Sequence, residues 1–269
     1  ASSIAVIPSD PFSQTVFEAS PLHRAIAQGF HGQTWAVGGG HSITTHSLAN
    51  TTTDSVKIWN VTVSTTPGTF STYTSAGNYA TGLLYKTIAT DENGKQVVAF
   101  KDKNGRVILK KVQLTASDAG TGSGYAGWLS TYYIYDDIGN LRAVIQPNGV
   151  ATLDGSGWSL TSTILAEQFF RYEYDGRNRL YMKQVPGAAP VYIVSDIEDK
   201  PVMMQDGNMR AANNWLVTVY DGLDRPIQTR MYSTTTPFAT LIANASVSAS
   251  YPGQVGTLLP WLRTAPRCG

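Results

Sequence analysis

The sequence predicts an all-β fold: a meander of β-hairpins forming a curved or spiralling open sheet, with one or two short helices. Three observations predict it. A short turn phrase recurs along the 269 residues, and the segments between its copies alternate apolar and polar residues. The composition pairs 42% hydrophobic residues with only 14% charged ones, against ~25% charged in ordinary globular chains. Ser, Thr, Gly, Asn and Tyr stand in for the missing charge, a mix that suits exposed β surface and extracellular proteins. A repeated phrase changes the question from which reaction is run to what is being built.

The cleanest copies read Tyr135-Asp136-Asp137-Ile138-Gly139-Asn140-Leu141, Tyr174-Asp175-Gly176-Arg177-Asn178-Arg179-Leu180 and Tyr220-Asp221-Gly222-Leu223-Asp224-Arg225-Pro226. Looser copies start at Asp91 (with Gly94), Asp102 (with Gly105) and Asp196 (with Asp199). Each is an aromatic or polar residue, Asp, two variable residues, a turn-former, a basic or amide residue, and an apolar residue. Asp hydrogen-bonds the backbone two residues on, and Gly, Asn or Asp tolerates the positive φ that closes the turn. Tyr, Val, Ile and Leu on either side are strand formers. The basic residue after the turn is expected on the solvent face, its stem over apolar surface and its head in water.

Residues 1–34 read as an irregular N-terminal arm. Within it Ser20 to Gly29 suits one or two helical turns, with Ser20 as N-cap, Pro21 at the first position and Gly29 as the stop. Residues 35–127 form an N-terminal β region with degenerate repeats. Residues 43–65 alternate as a half-buried strand should, most clearly from Val56 to Val63, 66–82 reads as a loop, and 83–112 as a meander through two turns. Gly38-Gly39-Gly40 is a turn, lacking the strand-then-helix context of a phosphate loop. Residues 128–232 hold the repeat hairpins, interrupted by a helix candidate at Ser162 to Phe170. Residues 233–269 are Thr/Ser/Pro-rich and read as ordered coil with a final strand, or as a segment that docks on a neighbour.

Charge and cysteine usage narrow the function classes. Lys+Arg of 20 against Asp+Glu of 19, with no basic run, makes nucleic acid or an anionic membrane a poor partner. No stretch of ~18 apolar residues is present to span a membrane. Cys268 has no intrachain partner and is a candidate intermolecular crosslink, a free thiol or a boundary remnant. The start at Ala1 suggests a removed leader or a piece of something larger.

Sharper chemistry finds little support. His23, His31, His41 and His46 match no zinc spacing, so no metal ligand is assigned. The Asp91 and Asp102 turns resemble calcium loops only in their acids, and a lysine spoils the second. Glu167 with Glu173, or Asp196 with Glu198 and Asp199, would suit a glycosidase, but nothing places two of them across a cleft. Trp35, Trp59, Trp128, Trp158, Trp215 and Trp261 could stack on sugars, although such residues more often anchor cores and interfaces. Asn50, Asn60 and Asn244 begin glycosylation-type triplets and Asp54-Ser55-Val56 resembles an O-glycosylation phrase, weak pointers to a surface location. No catalytic residue and no cofactor is assigned.

The ordered series of Tyr-Asp-x-x-Gly/Asn phrases resembles the YD-repeats of Rhs-type proteins. Together with Ser20 to Arg24, Val185-Pro186-Gly187 and Gln205 to Arg210, it is similar to the domain that precedes the Rhs core in large secreted proteins of Bacteroidetes, over about three-quarters of the chain. Tc-toxin and teneurin YD shells are distant kin. The resemblance implies hairpins added side by side into a spiralling shell, which in relatives encloses a C-terminal toxin or forms a barrel in cell-surface proteins. Relatives with cargo also carry a core-closing motif with autoproteolytic aspartates, which this sequence lacks. It implies Asp91, Gly94, Asp102, Gly105, Asp136, Gly139, Asp175, Asn178, Asp196, Asp199, Asp221 and Asp224 as repeat turn residues, and Tyr135, Tyr174 and Tyr220 as repeat aromatics.

The expectation is therefore a non-enzymatic structural protein, secreted or at the cell surface. Its partners would be itself or neighbouring repeat segments met through strand edges, with encapsulated toxin cargo if the chain is part of a longer one. A surface adhesin or carbohydrate-binding module is the alternative, and a glycosidase-type enzyme the remoter one.

Overall fold

Strands form in this chain where every second side chain can be taken out of water. Along Trp128–Tyr135 the buried residues are Trp128, Ser130, Tyr132 and Ile134, and along Asn214–Tyr220 they are Trp215, Val217 and Val219. The computed structural model describes residues 11–114 and 122–245. The strands are β1 (Gln14–Phe17), β2 (Ala25–Gly29), β3 (Ile43–Ala49), β4 (Lys57–Thr62), β5 (Thr72–Asn78), β6 (Tyr85–Thr90), β7 (Gln96–Lys101) and β8 (Val107–Gln113). They continue with β9 (Trp128–Tyr135), β10 (Leu141–Ile145), β11 (Phe169–Tyr174), β12 (Leu180–Gln184), β13 (Val191–Ser195), β14 (Pro201–Gln205), β15 (Asn214–Tyr220) and β16 (Pro226–Ser233). Among the described residues four short α-helices interrupt them, α1 (Pro147–Gly155), α2 (Ser162–Gln168), α3 (Gly207–Ala211) and α4 (Phe238–Ala245), with one short helical turn at Thr52–Asp54.

The fold is all-β. Among the described residues fourteen strands make one sheet in the order β1-β2-β3-β6-β7-β8-β9-β10-β11-β12-β13-β14-β15-β16, and β4 and β5 pair separately. Apart from that excursion, each strand lies beside its sequence neighbours, as short hairpin connections require. Two compact units divide the chain: residues 1–59, 75–133 and 145–159, and residues 60–74, 134–144 and 160–269.

Three segments differ from the sequence expectation, and a fourth, α1, was not anticipated. Residues 20–29 do not begin a helix. Pro21 sits in a reverse turn closed by the His23 N–H on the Ser20 carbonyl (3.1 Å), and β2 runs back along β1 with Gln14 opposite Gly29. Arg24 pins that hairpin with a two-pronged contact to Glu18 at 2.8 and 2.9 Å. The stretch 66–82 contains β5, whose Tyr73 is buried. The stretch after Gln146 forms α1, with Pro147 supplying the fixed φ of a first helical turn. Residues 238–245 form α4, where coil and a final strand were expected. Phe238 seats it by stacking on Tyr192 at 4.3 Å, within a core of Val194, Val202, Met203, Trp215, Val217 and Leu241. The helix candidate at 162–170 is α2, capped by the Thr161 hydroxyl accepting the Ile164 N–H. Trp261 and Cys268 lie outside the described residues.

Each unit encloses its own buried charges. In the first, Asp54 accepts from the Lys86 ammonium at 2.5 Å, and its other oxygen caps the short helical turn through the Thr51 N–H at 2.7 Å. Lys111 is fully buried, donating to the carbonyls of Gly122 and Gly124 at 2.8 and 2.5 Å. The ammoniums of Lys86 and Lys111 lie 5.4 and 5.5 Å from the Phe100 ring centre, so a ring face helps replace lost hydration. Burial pulls the Lys111 amine down to about 8; nearby Asp54 opposes that shift and Lys86 adds to it.

In the second unit Glu173 is 0% exposed and its carboxylate is fully engaged. It accepts from Arg142 Nη1 (2.7 Å), from the Ser71 hydroxyl (2.9 Å) and from the Ser71 N–H (2.5 Å). Arg142, itself 3% exposed, reaches Asp136 with Nε at 2.7 Å, and its carbonyl accepts from the Tyr73 hydroxyl.

Removing one partner of a buried pair strands the other without solvation. Arg142→Ala is expected to cost about 3–5 kcal/mol in urea unfolding, and the double variant Arg142→Ala/Glu173→Ala less than the sum of its single changes. For Lys111, the folded value of about 8 lies below the ~10.4 of an unfolded chain. Between those values the unfolded state holds a proton that the folded state has lost, so this residue adds stability as pH rises through that window. Lys111→Met is expected to remove that rise from urea midpoints compared at pH ~8 and ~10.

Candidate functional site

The six aspartates of the repeat phrase all head hairpin turns of one geometry, Asp91 and Asp102 in the first unit and Asp136, Asp175, Asp196 and Asp221 in the second. With the aspartate as position one, its N–H donates to the position-five carbonyl at 2.8–3.0 Å. The position-four N–H donates back to the aspartate carbonyl at 2.9–3.2 Å. Position four is left-handed throughout: φ is 76° at Gly94, 79° at Gly105, 94° at Gly139, 60° at Asn178, 68° at Asp199 and 63° at Asp224. This is a three-residue hairpin loop, and at the Asp102, Asp175, Asp196 and Asp221 turns a bulge shifts the register where the strands enter it.

The bulge turns the position-five N–H away from the opposite strand, and the aspartate Oδ1 collects it. The donors are Lys95, Arg106, Asn140, Arg179, Lys200 and Arg225, at 2.8–3.0 Å. The same oxygen accepts the position-three N–H of Asn93, Asn104, Arg177, Glu198 and Leu223 at 2.9 Å.

The sequence reading had the head of the basic residue in water; in three turns it folds back onto its own aspartate, while Lys95 Nζ reaches the Leu114 carbonyl at 3.1 Å. Arg106, Arg179 and Arg225 donate Nε to Oδ2 of Asp102, Asp175 and Asp221 at 2.7, 2.7 and 2.8 Å. In the Asp136 turn, where position five is Asn140, Arg142 takes that role. The Arg225 guanidinium and then its N–H hold the Asp221 carboxyl at about 2. At Asp102 and Asp136 burial pushes upward, but the hydrogen bonds from Arg106 and Arg142 outweigh it and the net shift is down.

Within the second unit the turns are tied to one another by a repeating rule. The position-five side chain of one turn donates to the position-four side chain of the next. Asn140 Nδ2 reaches Asn178 Oδ1 at 3.1 Å, Arg179 Nη1 reaches Asp199 Oδ1 at 3.0 Å, and Lys200 Nζ reaches Asp224 Oδ1 at 2.9 Å. The repeat tyrosines add a second tie. Tyr174 donates its hydroxyl to the Leu141 carbonyl (3.2 Å) and Tyr220 to the Pro201 carbonyl (3.0 Å), position six of the preceding turn in both cases. Arg142 and Lys200 lie 5.3 and 5.9 Å from the Tyr174 and Tyr220 ring centres. Tyr135 closes β9, half-buried. Sequence reasoning took these tyrosines as strand formers and missed the ties. The available signal was that a basic residue and a tyrosine keep fixed places in the phrase.

The remaining candidates are engaged elsewhere. Asp196 and Asp199 are turn residues, Glu198 pairs with Lys200, and Glu173 is held by Arg142 and Ser71. His41 packs against Trp35 at 5.0 Å, with Nδ1 2.7 Å from the Glu92 carbonyl oxygen. Among the described residues, no three His, Cys, Asp or Glu converge as for a metal. Trp128 and Trp215 are buried, and Trp59 and Trp158 meet edge to face at 6.1 Å. No helix among the described residues is long and apolar enough to cross a membrane.

Residues 3–49 match the family described as Domain of unknown function (DUF6443). No curated protein matches the chain. Among solved structures, the chain is similar to one of TcdB2-TccC3, at 15% identity and TM-score 0.49 over 83% of this chain and 9% of that one. It is also similar to the Photorhabdus luminescens Tc holotoxin pore with a mutated TccC3, at 14% identity and TM-score 0.48 over 88% of this chain and 10% of that one. The chain thus spans about a tenth of the length of these solved chains.

Two outcomes follow from the turn geometry. Tyr220→Phe removes one inter-hairpin hydrogen bond and is expected to cost about 0.5–1.5 kcal/mol in urea unfolding. Asp102, Asp136 and Asp221 have folded values below those of the unfolded chain. Their contribution is complete above the unfolded value of ~3.9 and is lost as pH falls below it, for Asp221 toward about 2. An acid titration followed by circular dichroism is expected to lose β signal in that range, and Asp136→Asn to flatten part of the loss.

Proposed function

We propose that this chain is a non-enzymatic structural segment of the Rhs/YD-repeat kind, a stretch of wall in a secreted or cell-surface assembly that continues through its strand edges. The observation that carries this reading is the turn ladder. Carboxylates, basic residues and tyrosines of the phrase are used to tie hairpin to hairpin, and among the described residues β1 and β16 are the outermost strands of the sheet order. The residues along β16 support the same reading, because Ile227 and Met231 are 57% and 52% exposed. An edge strand with apolar side chains and open backbone groups is a template for another strand. The acids that a glycosidase would need are occupied in turns and in the Glu173 cluster, which favours architecture over hydrolysis.

Light scattering and electron microscopy over a concentration series test the reading. Particles heavier than the 29.0 kDa chain, growing with concentration into sheets, shells or fibres, are the expected result. Ile227→Lys with Met231→Lys is expected to suppress growth, since edge lysines block strand addition. A 29.0 kDa particle at every concentration contradicts edge-driven assembly.

A further inference from the structure

Among the described residues, the last hairpin of the sheet order carries along β16 the same landing that it occupies on its neighbour. Hairpin β15–β16 meets β14 through main-chain pairing, with Met203 opposite Val217 and Met204 opposite Leu216. Two turn contacts fix it there: Lys200 Nζ on Asp224 Oδ1 at 2.9 Å, and the Tyr220 hydroxyl on the Pro201 carbonyl at 3.0 Å. The landing is therefore a basic residue followed by proline, at positions five and six of a turn. Strand β16 opens with Arg225-Pro226 in those same two positions.

Arg225 is ready for that contact. Its Nε and Nη2 hold Asp221 at 2.8 and 2.7 Å, and among the described residues its guanidinium meets no acceptor outside its own turn. Its side chain is 70% exposed, whereas those of Arg179 and Lys200, each covered by a following turn, are 14% and 10% exposed. Across the ladder the donor and acceptor also match in charge, amide on amide and cation on carboxylate.

We infer that β16 is read by a β-hairpin carrying Tyr immediately before its turn aspartate and Asp at position four, the pattern Tyr-Asp-x-x-Asp that this chain itself carries at Tyr220 to Asp224; this rests on the wall reading above. The incoming tyrosine hydroxyl donates to the Pro226 carbonyl, and the position-four carboxylate accepts from Arg225. By the register on β14, residues of the incoming strand equivalent to Val217 and Leu216 face Gln228 and Thr229. Glycine at position four suits the left-handed backbone better than any other residue, yet it leaves Arg225 without a carboxylate. The partner is thus selected by a side chain and not by the ease of its turn.

A cyclised peptide copying residues 214–233 is the probe, titrated against the full chain by calorimetry at low salt; cyclisation keeps the hairpin formed, since isolated hairpins are marginal. The parent peptide is expected to bind about 2–5-fold more tightly than its Asp224→Gly form, the range of an exposed ion pair. That difference should vanish against Arg225→Ala chain, persist against Arg225→Lys chain and shrink in ~1 M salt. Equal binding of the two peptides to the unaltered chain overturns the selection rule while leaving edge addition standing. Absence of binding by both peptides overturns the rule and the wall reading together.

Discussion

A hairpin loop that closes through a left-handed residue swings the following amide off its strand partner, and here the oxygen that collects this amide belongs to the aspartate heading the loop. The contact recurs in six turns with donor distances inside 2.8–3.0 Å. An orphaned amide half-shielded by neighbouring turns would cost more than the hydrogen bond contributes. Asp suits the place because its carboxylate reaches back over its own turn and still has a second oxygen for a cation. Glu would overshoot, and Asn would supply the acceptor without the charge that holds the basic residue. At Arg179 the cation, once held by Asp175, turns Nη1 onto the next turn, to the Asp196 carbonyl and the Asp199 carboxylate. One carboxylate therefore organises the turn, the clasp and the link to the neighbour.

The second layer of organisation lies inside the units, where charge is buried and paired over long sequence distances. Glu173 joins Ser71, Arg142 and, through Arg142, Asp136, so a residue of one repeat turn is wired into the core of the second unit. In the first unit Asp54, Lys86 and Lys111 share the surroundings of Phe100. Such clusters are poor sources of net stability but strong selectors of one arrangement over its competitors, because a slipped register would leave a charge buried alone. A repetitive sheet needs such selection, since near-identical hairpins could pair in several orders.

The repeat turns were legible because their information is local. Asp, a left-handed position and a flanking strand former sit within seven residues, and each answers to backbone geometry alone. The turn-to-turn ties were written in the same seven residues but needed the neighbour's position to be understood. A cation at position five looks solvent-facing until the next turn supplies Asp199 or Asp224. The Ser71–Glu173 contact had no local signature at all. Among the secondary structures, α1 was hidden because Pro147, Asn148 and Gly149, each at home in turns, open it. β1 and β2 were hidden by brevity and by Pro21, whose fixed φ serves a reverse turn as well as a helix start. At α4, Thr- and Pro-rich flanks masked an apolar face that finds its support on β13 and β15 through Tyr192 and Trp215.

Amide hydrogen exchange, resolved residue by residue by NMR at neutral pH, tests the central contact most directly. The account predicts that the position-five amides of Lys95, Arg106, Asn140, Arg179, Lys200 and Arg225 exchange far more slowly than the position-two amides of the same turns. It also predicts that replacing one turn aspartate by alanine releases protection in that turn first and in the adjoining turn of the ladder next. Position-five amides that exchange as fast as position-two amides, or an alanine substitution that leaves them protected, would contradict the claim that the aspartate carboxylate holds the repeat together.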